Sequence, residues 1–253
     1  MILPESGTEF SADQQLTSGG DGRMKLLPVV LLAFVLGYLL LPGAACVFTE
    51  PDSAGAGLLA AMGPLLSIAV VILGVRGCSG SWRNTWENLD LRRLPGRKFV
   101  FWSLPLALLI AIAGGAVTCL WEAVGRLMNW QFEVPPTLEI ILSGEHYQIA
   151  ALFFTALLAA PVFEEIFFRK ALFEFMRNFI GHWGAMAVSA SCFAAVHISL
   201  LQLPGLFMFA CIWQYFYCRS QSLWSSIILH FFNNLLSVCL LWSLRNYGGE
   251  LVM

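Results

Sequence analysis

From Leu26 onward the chain runs in long apolar stretches separated by short polar ones. A membrane span needs about 20 apolar residues to cross ~30 Å of hydrocarbon. Stretches of that kind fall at about 26–48, 56–75, 99–121, 147–168, 183–201, 203–218 and 223–243. A secretory signal would need only the first of them. Each must be a helix, because lipid offers no partner to an open backbone. The pattern therefore predicts an all-α fold, a polytopic transmembrane bundle of about seven to eight spans, the eighth being a weak one around 122–146. Residues 1–24, rich in Ser, Gly, Gln, Thr and acids, read as a mobile polar tail. Residues 25–146 read as N-terminal membrane helices, and 147–243 as a second group that carries the chemistry.

Composition sharpens this picture. Hydrophobic residues make up 58% of the 253 and charged residues 12%, with a mean hydropathy of +0.74. That is too little charge to cover the surface of a water-soluble domain of this size. A soluble enzyme, a disordered chain and a DNA-binding domain are thereby excluded. With 14 basic against 16 acidic residues the net charge is -2, which gives no field for nucleic acid. The partner the composition calls for is a lipid bilayer.

The basic residues are placed unevenly. Arg76, Arg83, Arg92, Arg93, Arg97 and Lys98 crowd one connection, while the segment 122–146 has only Arg126. Alternating sides along the seven stretches puts 12 basic residues on one face and 2 on the other. The positive-inside rule then orients the N-terminus, and Arg169 and Arg177 with it, toward the cytoplasm. The expected setting is a multi-pass protein of a plasma membrane, and the short loops lean toward a prokaryote. The seven cysteines form no C-x-x-C pair and read as small apolar packing residues.

Ionisable residues inside lipid are costly and need a reason. Glu164, Glu165 and Arg169 interrupt one apolar stretch, His197 another, and His230 with Asn233 and Asn234 a third. Glu165 and Arg169 stand four apart and share a helix face, so they can pair. Glu164 lies ~100° further round and can point elsewhere. If the chain turns back near Gly181, Glu165 and His197 are equidistant from the turn, each ~24 Å along its helix. A turn near 219–222 puts His230 one to three helical turns inside the same face. A desolvated carboxyl beside an imidazole can deprotonate water for attack on a carbonyl, and imidazole and amide N–H groups can hold the resulting oxyanion.

Three motifs in order, Glu164-Glu165-x-x-x-Arg169, Phe193-x-x-x-His197 and His230-x-x-x-Asn234, resemble the CPBP family of CAAX proteases and bacteriocin-processing enzymes, which includes the Rce1-type prenyl endopeptidases. The resemblance covers roughly residues 147–243. It implies an all-helical intramembrane glutamic protease that needs no metal and no cofactor. Glu164 and His197 would activate water, His230 and Asn234 would form the oxyanion site, and Glu165 and Arg169 would support them. The partner implied is a peptide or protein substrate, lipidated or membrane-anchored. Other readings of the same residues stand beside it. Asn233 and Asn234 also suit helix–helix hydrogen bonding. Glu164, His197 and His230 could form a zinc set. The whole could be a non-catalytic membrane protein of the same fold, such as an immunity factor or scaffold, or a proton-coupled carrier.

Overall fold

The computed structural model describes residues 20–41, 54–133 and 136–247. Every regular element in them is helical. Helix α1 (Gly20–Phe34) continues into a π-wound turn, Val35–Leu40. Then come α2 (Ala54–Ser79), the short α3 (Trp82–Asn88), α4 (Arg97–Leu127) and α5 (Pro136–Ser143). Next, α6 (His146–Phe154) and α7 (Ala160–Glu165) are joined by one π segment, Thr155–Ala159, and α7 runs through another, Ile166–Leu172, into α8 (Phe173–Ala195). Two further helices, α9 (Leu203–Ser220) and α10 (Leu223–Tyr247), close the order. Of the stretch expected as a polar tail, residues 20–24 already belong to α1; the remainder lies outside the described residues.

Among the described residues, four helical runs are long and apolar enough to cross a membrane: Met62–Ser79, Arg97–Leu127, His146–Ala195 and Leu223–Asn246. A shorter apolar helix covers Leu26–Tyr38. The protein is thus an all-helical, multi-pass membrane protein, but seven to eight separate spans are not what length and apolarity give. The 50-residue run His146–Ala195 contains the fourth expected span and most of the fifth. It doubles back at Gly181, whose φ of 71° interrupts the helix. The reversal is visible downstream: the Ser189 hydroxyl donates to the carbonyl of Phe168 at 2.7 Å, a contact that a straight helix could not make across 21 residues. An added Cβ at Gly181 would meet nothing within 4 Å, so the demand there is for the left-handed backbone, not for space. A second reversal, at Gln221 (φ 52°), joins α9 to α10.

Helix α4 shows which way the bundle is turned. Its buried residues Ser103, Ala107, Ile110 and Gly114 recur every three or four positions, while Phe101, Leu109, Ile112 and Leu120 face outward and are exposed. Mostly small residues inside and large apolar ones outside is the arrangement lipid rewards. Against α4 pack α9 and α10, and α9 also packs on α8. On the other flank, α1 crosses α2 where Gly37 meets Gly63 and Ser67. A Cβ on Gly63 would strike the Gly37 carbonyl oxygen, and one on Gly37 would strike both Ser67 Oγ and the Gly63 carbonyl. Ser67 Oγ also donates to the Ala33 carbonyl at 2.8 Å. We expect Gly37→Ala or Gly63→Ala to destabilise the protein by about 1–3 kcal/mol, since backbone cannot yield to the new methyl; thermal unfolding in detergent micelles measures this.

One end of the bundle is tied by polar contacts. Lys170 Nζ lies 2.6 Å from Asp90 Oδ2 and 3.3 Å from Glu174 Oε1. The Tyr217 hydroxyl is 2.7 Å from both carboxylates and donates to one of them at a time. Trp224 Nε1 donates to the Leu91 carbonyl, and the backbone N–H of Leu223 to that of Asp90. The basic connection 76–98 therefore meets the α9–α10 turn and the Lys170 region at a common end, as one shared membrane face requires.

Candidate active site

The site sits just inside that tied end. Glu165 is five residues from Lys170 and His230 seven from Leu223, so both lie ~7–10 Å deeper than the polar contacts at the end. The sequence folds this way because α7 and α10 present small residues where they meet: Ser225 and Ser226 on α10 are fully buried. Directly after Glu165 the helix is wound as π over Ile166–Leu172, and such segments are common at functional sites.

Glu165 is fully buried and anchors the cluster. Its Oε2 lies 3.0 Å from Arg169 Nε, the i, i+4 pair expected from the sequence. Its Oε1 lies 2.9 Å from His230 Nδ1. A carboxylate only accepts, so His230 carries a proton on Nδ1. Ser226, one turn before His230, is fully buried and donates to the Leu223 carbonyl at 3.0 Å. The Arg169 guanidinium is sealed in aromatic rings, 4.7 Å from the centre of Phe193, 5.5 Å from Trp213 and 5.9 Å from Phe168. Planar, weakly hydrated guanidinium is the cation suited to such a cage.

Glu164 does not turn away from this group as its helical angle suggests. Its Oε2 lies 3.7 Å from His230 Nε2, so one imidazole stands between two carboxylates. That distance exceeds a direct hydrogen bond. The Glu164 side chain is 16% exposed against 0% for Glu165, so only Glu164 is open to an incoming molecule. Trp213 stacks on His230 at 4.1 Å and 17°, which fixes the ring plane.

His197 and Asn234 are placed differently from the direct partners. Helix α8 ends at Ala195, and His197 lies in the turn beyond it, next to Ile198 at φ 49°. Its expected position inside a helical span is thus corrected: the backbone has already left the helix. His197 Nδ1 donates to the Phe193 carbonyl at 2.7 Å, which leaves Nε2 as the proton acceptor of the neutral ring. The Phe193 ring links the two histidines, 4.8 Å from His197 and 5.9 Å from His230. Asn234 Nδ2 donates to the Ala156 carbonyl at 2.8 Å, within the π segment Thr155–Ala159; its second N–H is a further donor. Neighbouring Asn233 is buried on the stripe of Ser226 and His230. Among the described residues no three His, Cys, Asp or Glu side chains group as metal ligands, so the zinc set Glu164, His197 and His230 is not assembled.

The order Glu-Glu-x-x-x-Arg, His, His on three packed helix arms now has a counterpart. Residues 146–236 match the family model described as type II CAAX prenyl endopeptidase, Rce1-like. The chain carries an Rce1-like domain. The match begins at the first residue of α6 and ends within α10, and the family it describes is one of glutamic-type intramembrane proteases. No curated protein and no solved structure matches the chain. The Rce1-like segment includes Glu164, Glu165, Arg169, His197, His230 and Asn234, and also Trp213 and Ser226, which sequence reasoning passed over. An apolar Trp in an apolar helix gives no signal of its own; only its stacking on His230 marks it.

Proposed function

We propose that this protein hydrolyses a peptide bond near the cytoplasmic membrane face, with Glu164 and His197 activating water and His230 and Asn234 holding the oxyanion. The observation that carries this is the single imidazole of His230 between a sealed carboxylate and an accessible one. Glu165 fixes Nδ1–H, so the Nε2–H of a protonated His230 is the donor aimed toward the accessible side. Glu164 takes a proton from water as the hydroxide equivalent attacks the scissile carbonyl. His197, with Nε2 as acceptor, shares that proton and passes it to the leaving amine. The negative charge that develops on the carbonyl oxygen is met by His230 and the second N–H of Asn234. Glu165 and Arg169 touch no substrate; they hold the ring that does.

The substrate is a membrane-anchored protein presented from the cytoplasmic side, and the family's name points to prenylated C-terminal CAAX tails. Comparing the termini of membrane peptides between cells with wild-type protein and with Glu164→Gln tests this reading. Peptides that end at a new terminus only with wild type are the expected result; identical sets would overturn it.

A further inference from the structure

A cavity of about 640 Å³ opens at the tied end of the bundle, lined by Glu87, Asp90, Arg92, Arg93 and Gln221 and by none of the site residues. Its volume is within the ~300–1,000 Å³ usual for a small ligand, but such pockets are mostly apolar; an all-polar lining suits a hydrated, charged group instead. Two of the five, Asp90 (φ 53°) and Gln221 (φ 52°), hold left-handed backbone that non-glycine residues seldom take. The turns they form are stitched together. Ser222 Oγ donates to the Arg93 carbonyl, the Leu223 N–H to the Asp90 carbonyl and Trp224 Nε1 to the Leu91 carbonyl. The charges along the walls do not cancel. Glu87 is taken by Arg92 and, at 3.6 Å, by Arg83; Asp90 is taken by Lys170 and Tyr217. The Arg93 side chain is exposed and has no partner among the described residues. The connection also lies at headgroup depth. It joins two runs that can cross a membrane, Met62–Ser79 and Arg97–Leu127. Thr85 on α3 and its C-cap Leu89 are buried, while Trp82 and Trp86 stack on each other and are exposed. Exposed tryptophans beside the end of a span mark the lipid–water interface.

We propose that this cavity holds the headgroup of an anionic phospholipid of the cytoplasmic leaflet, with its phosphate on Arg93. A guanidinium fork pairs with two phosphate oxygens at once. The carboxylate lone pairs that Glu87 and Asp90 keep beyond their ion pairs accept from headgroup hydroxyls, such as those of glycerol. A choline headgroup has no hydroxyl to give, and its own positive charge offsets the pull of its phosphate on a site with one cation in excess. A soluble phosphate offers Arg93 the same contact, but the interfacial tryptophans put the cavity among lipid headgroups, and the cytoplasmic leaflet is the one rich in anionic lipid. Occupancy has a structural consequence. The walls come from 87–93 and 221, segments that meet only in the folded chain, and Asp90 holds Lys170, Tyr217 and Leu223. A bound headgroup therefore steadies the ends of the arm that carries Glu165 and of the helix that carries His230. None of this depends on what the site behind it cleaves.

The test follows the melting temperature of the full chain in a neutral maltoside detergent as phosphatidylglycerol is added. A ligand that binds only the folded state raises it. Wild type should show a saturable rise of several degrees. Without lipid, Arg93→Gln should melt at the wild-type temperature, because it removes an exposed group that has no partner. With lipid it should need about fivefold more phosphatidylglycerol for the same rise, the share of one basic residue at an anionic surface. Lys98→Gln removes an equal, exposed charge that does not line the cavity, and should titrate like wild type. No rise with phosphatidylglycerol would overturn the proposal, as would a rise of equal size with phosphatidylcholine. Equal weakening by Lys98→Gln and Arg93→Gln would overturn it too, since the effect would then be a diffuse attraction rather than a site. Glycerol phosphate acting at the same concentration would overturn the lipid as occupant in favour of a soluble phosphate. Whether Glu164→Gln cleaves changes none of these outcomes, so this inference and the proposed function fail separately.

Discussion

Glu164→Gln should leave a folded, membrane-inserted protein whose cleavage rate is lower by roughly 10³-fold or more, the scale on which a general base contributes together with the water it holds. Gln has the shape of Glu and can still hydrogen-bond, so the packing beside Phe163 and His230 is kept. What it cannot do is take a proton. Glu164 is part-exposed and has no close ion pair, its nearest charged partner being His230 Nε2 at 3.7 Å. Its loss should therefore leave the melting temperature in detergent within a few degrees of wild type. The adjacent Glu165→Gln makes the contrast. Glu165 is sealed against Arg169 and His230, and removing its charge strands a buried guanidinium. That variant should lose both activity and stability. Two neighbouring carboxylates would thus separate into one that works on substrate and one that holds the site. If Glu164→Gln destabilised as much as Glu165→Gln, the division of roles would be wrong.

Arg169→Met should destabilise the protein by about 3–5 kcal/mol, the cost of leaving one member of a buried pair without the other. Arg169 and Glu165 are both fully buried, and no water replaces the missing cation. The double variant Glu165→Gln, Arg169→Met should recover most of that loss, because no uncompensated charge remains and Met fills the Phe168, Phe193 and Trp213 cage. Cleavage should not recover. Gln at 165 can accept from Nδ1–H or donate to a bare Nδ1, so the His230 tautomer is no longer fixed. Chemical or thermal unfolding in micelles reads the first part, and peptide cleavage the second. Stability that failed to return in the double variant would show that the guanidinium is held by the rings rather than by Glu165.

The hairpin at Gly181 was legible in the chain because glycine is the residue that takes a positive φ without strain, and the symmetry of Glu165 and His197 about it was countable. The ion pair of Glu165 with Arg169 was legible because spacing of four fixes a shared face on any helix. The number of spans was less so. Apolar length counts hydrocarbon thickness, and it cannot tell one folded-back run such as His146–Ala195 from two independent helices. The place of His197 was also hidden: the apolar pattern continues to Leu201, while the helix stops at Ala195.

The residues around the reactive carboxylate divide in the same way. Glu164, Glu165, Arg169, His197, His230 and Asn234 stood out because lipid makes every polar side chain expensive. That cost is a property of composition and needs no coordinates. Which imidazole nitrogen meets which carboxylate, that Trp213 lies flat on His230, and that Tyr38 stacks on Phe163 beside Glu164 depended on how the helices cross. The sequence by itself determined which groups are too polar for their surroundings and must find one another. The tertiary structure decided their partners, because helix contacts are set by side-chain packing among segments far apart in the chain, and an apolar sequence offers many nearly equal ways to pack.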